Sequence, residues 1–230
     1  MKVLAIDTAT EACSAAVLDG ARLFARELEL GRGHSERILA LVDEVLEMAG
    51  LTLESLDGIA FGRGPGSFTG VRLAASITQG LAFAARRPVV GVSDLRALAQ
   101  RVLGHSASVA SVLVCNDARM HEVYWGCYRR GVDGLAEAAC AEAVDVPLAV
   151  QLPPQLPRPV HGVGRGFRAY PQLGARLAGA LAGIDSELLP RASEVARLAA
   201  AELAAGHGVA AELAVPEYLR DDVARPPSRD

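Results

Sequence analysis

Between residues 62 and 72 the chain reads Gly-Arg-Gly-Pro-Gly-Ser-Phe-Thr-Gly-Val-Arg, with four glycines in nine positions. Ile59-Ala60-Phe61 precedes the block and reads as the end of a buried strand. Leu73 to Ala85 follows it and reads as a helix carrying many small residues. A strand, a tight glycine turn and a helix N-terminus together expose backbone N–H groups to whatever sits above them. Such a turn accepts either a phosphate or a closely packed backbone. It therefore restricts the chain to α/β architectures in which a strand feeds directly into a helix.

The flanking pattern extends that constraint. Lys2–Asp7, Ser14–Leu18 and Arg22–Leu30 read as three strands, the second and third joined by an Asp19-Gly20 hairpin signal. A helix opens at His34-Ser35-Glu36 and places Ile38, Leu41, Val42, Val45 and Leu46 on one stripe before Gly50 stops it. Val89–Val92 is a further strand, and Ser93-Asp94 caps a third helix running to about Leu103. Three strands followed by alternating helices and strands is the order of a ribonuclease-H-like half-domain. We therefore expect an N-terminal lobe over 1–104 and a smaller C-terminal lobe over 105–230. Val109–Asp117, then a polar turn and a strand from Glu122, echoes the beginning of the chain and suggests internal duplication. Pro147 to Pro159 is an irregular connection, Val160–Gly164 a short strand, and Arg191–Ala205 a helix stopped by Gly206. The tail after Leu219 reads as frayed.

Composition excludes several classes. A net charge of −4 gives no basic footprint for nucleic acid. The modest cluster of Arg220, Arg225 and Arg229 is diluted by Asp221, Asp222 and Asp230. No apolar run is long enough to cross a bilayer, and Asp7 interrupts the apolar start too early for a secretory signal. Cys13, Cys115, Cys127 and Cys140 show no CxxC spacing and read as reduced thiols of a cytoplasmic protein. Aromatic residues are only 4% of the chain, so alanine, leucine and valine must fill the interior.

Candidate chemistry is sparse. Asp7 either orients a metal-bound phosphate or accepts hydrogen bonds from its own turn. The glycine block lacks the Lys-Ser/Thr of a Walker loop, and Ser67 replaces the third glycine of a dinucleotide fingerprint. Gly64 and Gly66 are thus weak cradle candidates, and the other reading is a turn with Ser67 or Thr69 capping the next helix. His34, His105, His121, His161 and His207 form no metal-ligand spacing. Ser14, Ser67, Ser93 and Cys13 lack a nucleophile-elbow context.

Four ordered motifs, Val3–Thr10, Gly62–Arg72, Asp117–Tyr124 and Pro216–Arg220, together resemble the TsaB (YeaZ) family over nearly the whole chain. The resemblance implies a two-lobed actin-like, sugar-kinase-like fold with mixed sheets flanked by helices. It implies a non-catalytic partner of TsaD, the subunit that transfers threonylcarbamoyl to the adenosine 3′ of the anticodon in tRNA. A TsaE-like ATPase joins the assembly, tRNA is reached indirectly, and the isolated chain can form a homodimer. In the catalytic relative two histidines at i and i+4 hold a metal after a strand comparable to Val89–Val92. Here the best-matching positions are Asp94 and Leu98, and leucine cannot ligate. No cofactor is expected, except a nucleotide completed by the partner. Docking is expected through the two N-terminal helices, with Ile38, Leu41, Val42, Val45, Leu46, Ala74, Ala75 and Gly80 at the interface. The competing expectation is an ATPase or phosphotransferase using Asp7 and the glycine loop. A peptidase has no supporting constellation.

Overall fold

The computed structural model describes residues 1–220. The expected frayed tail, with Arg225, Arg229, Asp221, Asp222 and Asp230, lies outside them. Strands β1 (Lys2–Asp7), β2 (Ala12–Asp19) and β3 (Arg22–Glu29) form an antiparallel meander. Helix α1 spans His34–Ala49 and ends on Gly50, whose φ of 65° is the left-handed stop that glycine supplies. Strand β4 (Gly58–Gly64) leads into α2 (Phe68–Ala85), and β5 (Val89–Ser93) leads into α3 (Asp94–His105). The α2 helix begins at Phe68, earlier than the expected Leu73, because Ser67 is its N-cap and Gly70 lies inside the first turn.

The first sheet has the order β3-β2-β1-β4-β5, with β1, β4 and β5 parallel. The period-two alternation of its strands sorts side chains to opposite faces. Leu4, Ile6, Ile59 and Phe61 meet α1 and α2 on one face. Val3, Ala5, Ala60, Val90 and Val92 meet the opposite layer.

The second sheet is built from β6 (Ser111–Arg119), β7 (Glu122–Arg130), β8 (Ala136–Ala138), β9 (Ala143–Asp145), β10 (Val160–Val163) and β11 (Leu181–Asp185). Its order is β11-β10-β6-β7-β8, with β9 also on β7. The β6–β7 pair is antiparallel, and β6, β10 and β11 are parallel. Strand β6 therefore plays the part of β1, and β10 and β11 the parts of β4 and β5, so the suggested duplication is present in the topology. Short helices α4 (Gly166–Ala169) and α5 (Pro171–Leu177) cover its outer face with Phe167, Leu173 and Leu177.

The boundary placed after residue 104 separates the two sheets but not the helices. Helix α6 (Ala192–Ala204), within the 105–230 segment, returns to the first sheet and packs Val195, Ala196, Leu198 and Ala199 on it. Helix α3, assigned to 1–104, lays Leu95, Leu98, Val102 and Leu103 on the second sheet. The two helices fill the space between the sheets and are alanine-rich where they meet, which permits close approach. No helix among the described residues is long and apolar enough to cross a membrane.

Candidate functional site

Asp7 ends β1 with no solvent exposure. Its Oδ1 accepts the Ala9 N–H at 2.9 Å, a local turn bond. Asp94, the first residue of α3, is equally buried and lies against it. Asp94 Oδ2 accepts the Gly64 N–H at 2.5 Å. A Cβ on Gly62 would stand 2.4 Å from Asp94 Oδ1 and 3.1 Å from Asp7 Cγ, so the missing side chain makes room for both carboxyls. Asp7 Oδ2 and Asp94 Oδ1 have no other partner among the described residues. Two touching carboxyls repel when both are ionised, and one proton held between them relieves that repulsion. Burial pushes Asp7 up to about 6. Burial first, and the Asp7 charge second, lift Asp94 well above the usual carboxylate range.

The glycine loop is shaped by backbone contact. A Cβ on Gly70 would lie 2.0 Å from the Thr8 carbonyl oxygen, and one on Gly66 2.4 Å from that of Ala9. Thr8 Oγ1 donates to Gly70 O at 2.7 Å, and the Ser67 N–H donates to Ala9 O at 2.7 Å. Glycine is required because the start of α2 sits directly on the β1–β2 turn. The Gly64 and Ser67 N–H groups are already occupied in this packing, which leaves them unavailable to a phosphate.

Between the sheets a cleft of about 730 Å³ opens, walled by Thr8–Glu11, Gly31–Ser35, Pro65–Val71, Asn116–Arg119, Arg165 and Glu217–Arg220. Asp7, Gly64 and Asp94 do not line it; Gly66 does. Asn116 is 6% exposed, and both its side-chain polar atoms lack partners. His34 hydrogen-bonds the Thr10 carbonyl through Nε2 at 3.0 Å. Arg165 bridges the lobes by pairing with Glu11 at 3.4 Å and with Glu29.

A strap formed by residues 214–220 crosses the mouth. Gln79 Nε2 donates to Ala214 O at 2.9 Å, and the Glu217 N–H donates to Arg63 O at 2.8 Å. Arg220 pairs with Glu122 at the β6–β7 turn. The Arg72 guanidinium lies 3.4 Å over the Phe68 ring and 5.4 Å from that of Tyr218, an exposed cation–π cluster.

The expected interface residues are placed differently. Ile38, Leu41, Val42, Val45, Leu46, Ala74 and Ala75 are all buried at 0–8% exposure in the chain's own core. The apolar stripe covers the first sheet, so these seven side chains present little surface; of the eight expected residues only Gly80 is exposed. The outer faces of the same helices instead carry Leu39, Met48 and Phe83, the last 78% exposed. Periodicity finds the buried stripe and gives no signal for isolated outward apolar residues.

Two sheets of matching strand order, enclosing helices and flanking a cleft at the ends of their first strands, define a two-lobed actin-like, sugar-kinase-like protein. The family model described as "TsaD: tRNA N6-adenosine threonylcarbamoyltransferase" matches residues 29–228. The tRNA threonylcarbamoyladenosine biosynthesis protein TsaB of Escherichia coli is 41% identical, over 97% of this chain and 96% of its own length. TsaB of Haemophilus influenzae is 39% identical, over 97% and 95% respectively. The solved structure of YeaZ from Pseudomonas aeruginosa superposes with a TM-score of 0.84 at 41% identity, over 95% of this chain and 99% of that one. The chain belongs to the TsaB family of tRNA threonylcarbamoyladenosine biosynthesis proteins.

Proposed function

We propose that this chain acts in the cytoplasm as a non-catalytic subunit in threonylcarbamoyladenosine synthesis on tRNA, docking and supporting a TsaD-like catalytic partner. The observation that carries this reading is the state of the metal position. Asp94 and Leu98 stand there, both at 0% exposure. Asp94 is bound to the Gly64 N–H and packed on Asp7, and Leu98 lies in the core of the second lobe. Leucine offers no ligand atom, and no group of three or more His, Cys, Asp or Glu gathers among the described residues, so the position is short of the ligands a metal needs.

Docking runs through the outer faces of α1 and α2, where Leu39, Met48 and Phe83 flank the small residues Ala40, Gly80 and Ala84. In the partner's absence the same face serves a homodimer. The TsaE-like ATPase and tRNA engage through the assembled pair, and a nucleotide binds only where the partner completes the cleft.

Reconstitution of tRNA modification with and without this protein tests the proposal. The isolated chain should transfer nothing, and its addition to the catalytic partner should restore the reaction. Full modification by the partner alone, or transfer by this chain alone, refutes it. The ATPase reading predicts ATP turnover by the isolated chain that Asp7→Ala removes. The full burial of Asp7, away from the cleft, weighs against that reading.

A further inference from the structure

Two cysteines outside the docking face are brought together by a break in the second sheet. The β7–β8 ladder runs regularly from Arg130↔Ala136 to Tyr128↔Ala138. At the next position the Ala139 N–H still donates to the Cys127 carbonyl, at 2.8 Å. The Cys127 N–H, however, meets no backbone oxygen and donates to the Cys140 sulfur at 3.2 Å. The chain then bulges through residues 140–142 before β9 resumes at Trp125↔Ala143. A thiol thus takes the place of a carbonyl acceptor in the ladder. The Cys127 thiol lies beside the same sulfur, placed to donate to it.

Both donors favour the thiolate of Cys140 and bring its pKa down to about 6, while Cys127 is raised by donating to it and by burial. Cys140 is half-buried and Cys127 has no exposure. The pair therefore has one accessible, nucleophilic thiolate and one shielded thiol beside it. Cys115 shares the outer face covered by α4 and α5, but it is paired across the sheet with Trp125, while Cys127 is paired with Leu113. That diagonal separation is about 7–8 Å between Cα atoms, beyond disulfide reach.

We propose that Cys140 is a hydroperoxide-reactive thiol that Cys127 resolves into an intramolecular disulfide. The Cys140 thiolate attacks one peroxide oxygen and the O–O bond breaks. The departing hydroxide takes up a proton as water, leaving a sulfenic acid. Cys127 sulfur then attacks Cys140 sulfur. The S–O bond breaks, and the hydroxide leaves with the Cys127 proton as a second water. Two thiols lose two electrons, and one hydrogen peroxide becomes two waters. The crosslink fixes the bulge that carries Glu142, whose carboxylate accepts from Tyr128 Oη and from Ser93 Oγ at the start of α3.

Hydrogen peroxide treatment of the full chain, followed by intact mass and non-reducing peptide mapping, tests the inference. The expected product has lost two hydrogens, links the Cys127 and Cys140 peptides, and reverts with dithiothreitol. Cys127→Ser, which keeps a hydroxyl donor, should accumulate a dimedone-trappable sulfenic acid at Cys140. Cys140→Ser should remove the reaction with its melting temperature preserved. Iodoacetamide at pH 7 should label Cys140 at least about tenfold faster than Cys13, which burial pushes up to about 11. Oxidation of Cys13 or Cys115 ahead of Cys140 overturns the proposal. So does sulfinic acid at Cys140 of the unsubstituted chain with no disulfide formed.

Discussion

Replacing Asp94 by asparagine should make this protein more stable at neutral pH, although it removes a fully buried residue's native side chain. The folded state holds Asp94 protonated against Asp7, because both pKa values are raised by burial. The unfolded chain ionises near 3.8. The folded state therefore binds more protons, and its stability falls as pH rises. For Asp7 that contribution is complete below about 3.8 and gone above about 6. For one carboxyl the cost is about 1.4 kcal/mol per pH unit while the folded group keeps its proton and the unfolded one has lost it. Asparagine offers Oδ1 to the Gly64 N–H and Nδ2–H to Asp7, reproducing the shared-proton arrangement without proton uptake. Relative to the unsubstituted chain, Asp94→Asn should gain stability as pH rises, by about 1.4 kcal/mol for each pH unit over which the folded Asp94 keeps a proton that the unfolded chain has lost. For a chain of this size each such pH unit is about 3–6 °C in melting temperature. Thermal melts followed by circular dichroism at pH 5, 6, 7 and 8 measure it. Parallel pH profiles for the two proteins would show that no proton is shared in the pair. Asp94→Leu should be destabilised throughout, because it strands both the Gly64 N–H and Asp7.

Phe83→Asp and Leu39→Asp should abolish copurification with a TsaD-like partner while leaving stability within about 0.5 kcal/mol, as surface changes do. Val45→Asp should instead unfold the chain by burying a charge, and the melting curve separates the two outcomes. Gly70→Ala places a Cβ 2.0 Å from the Thr8 carbonyl and should cost about 2 kcal/mol or more in urea unfolding; an unchanged midpoint would refute the close-packing account of the glycine block. Arg165→Ala should lose about 1 kcal/mol through its pairs with Glu11 and Glu29, with weak salt dependence because its side chain is only 12% exposed.

The elements legible in the sequence are those whose pattern and punctuation agree. Strand β1, the hairpin at Gly20 and helix α1 with its Gly50 stop combine correct periodicity with a glycine at positive φ. Strands β8, β9 and β11 leave no clear mark in the sequence because they run only three to five residues and their burial is mostly shallow. The start of α2 was misplaced because Gly70, a helix disfavouring residue, sits there for contact with Thr8 rather than for local conformation. Asp7 was singled out for its position at a strand end. Its pairing with Asp94 depends on β4 and β5 lying beside β1, a tertiary relation that no local spacing encodes. The expected docking stripe lies inward for a related reason: hydrophobic periodicity reports what a helix buries, and α1 and α2 bury it on their own sheet. Cys127 and Cys140 have no short spacing to mark them as a pair, yet a ladder interruption brings them together across 13 positions.

The return of α6 to the first sheet has a bearing on biosynthesis. Residues 2–93 carry every strand of that sheet, yet Val3, Ala5, Ala16 and Leu18 on its inner face await a helix that begins at Ala192. A ribosome delivers the chain from its N-terminus, so this apolar surface emerges long before its cover is translated. The nascent polypeptide must therefore remain shielded or loosely collapsed until α6 appears, and a stalled, shortened product would be a substrate for chaperones and proteases rather than a half-working lobe.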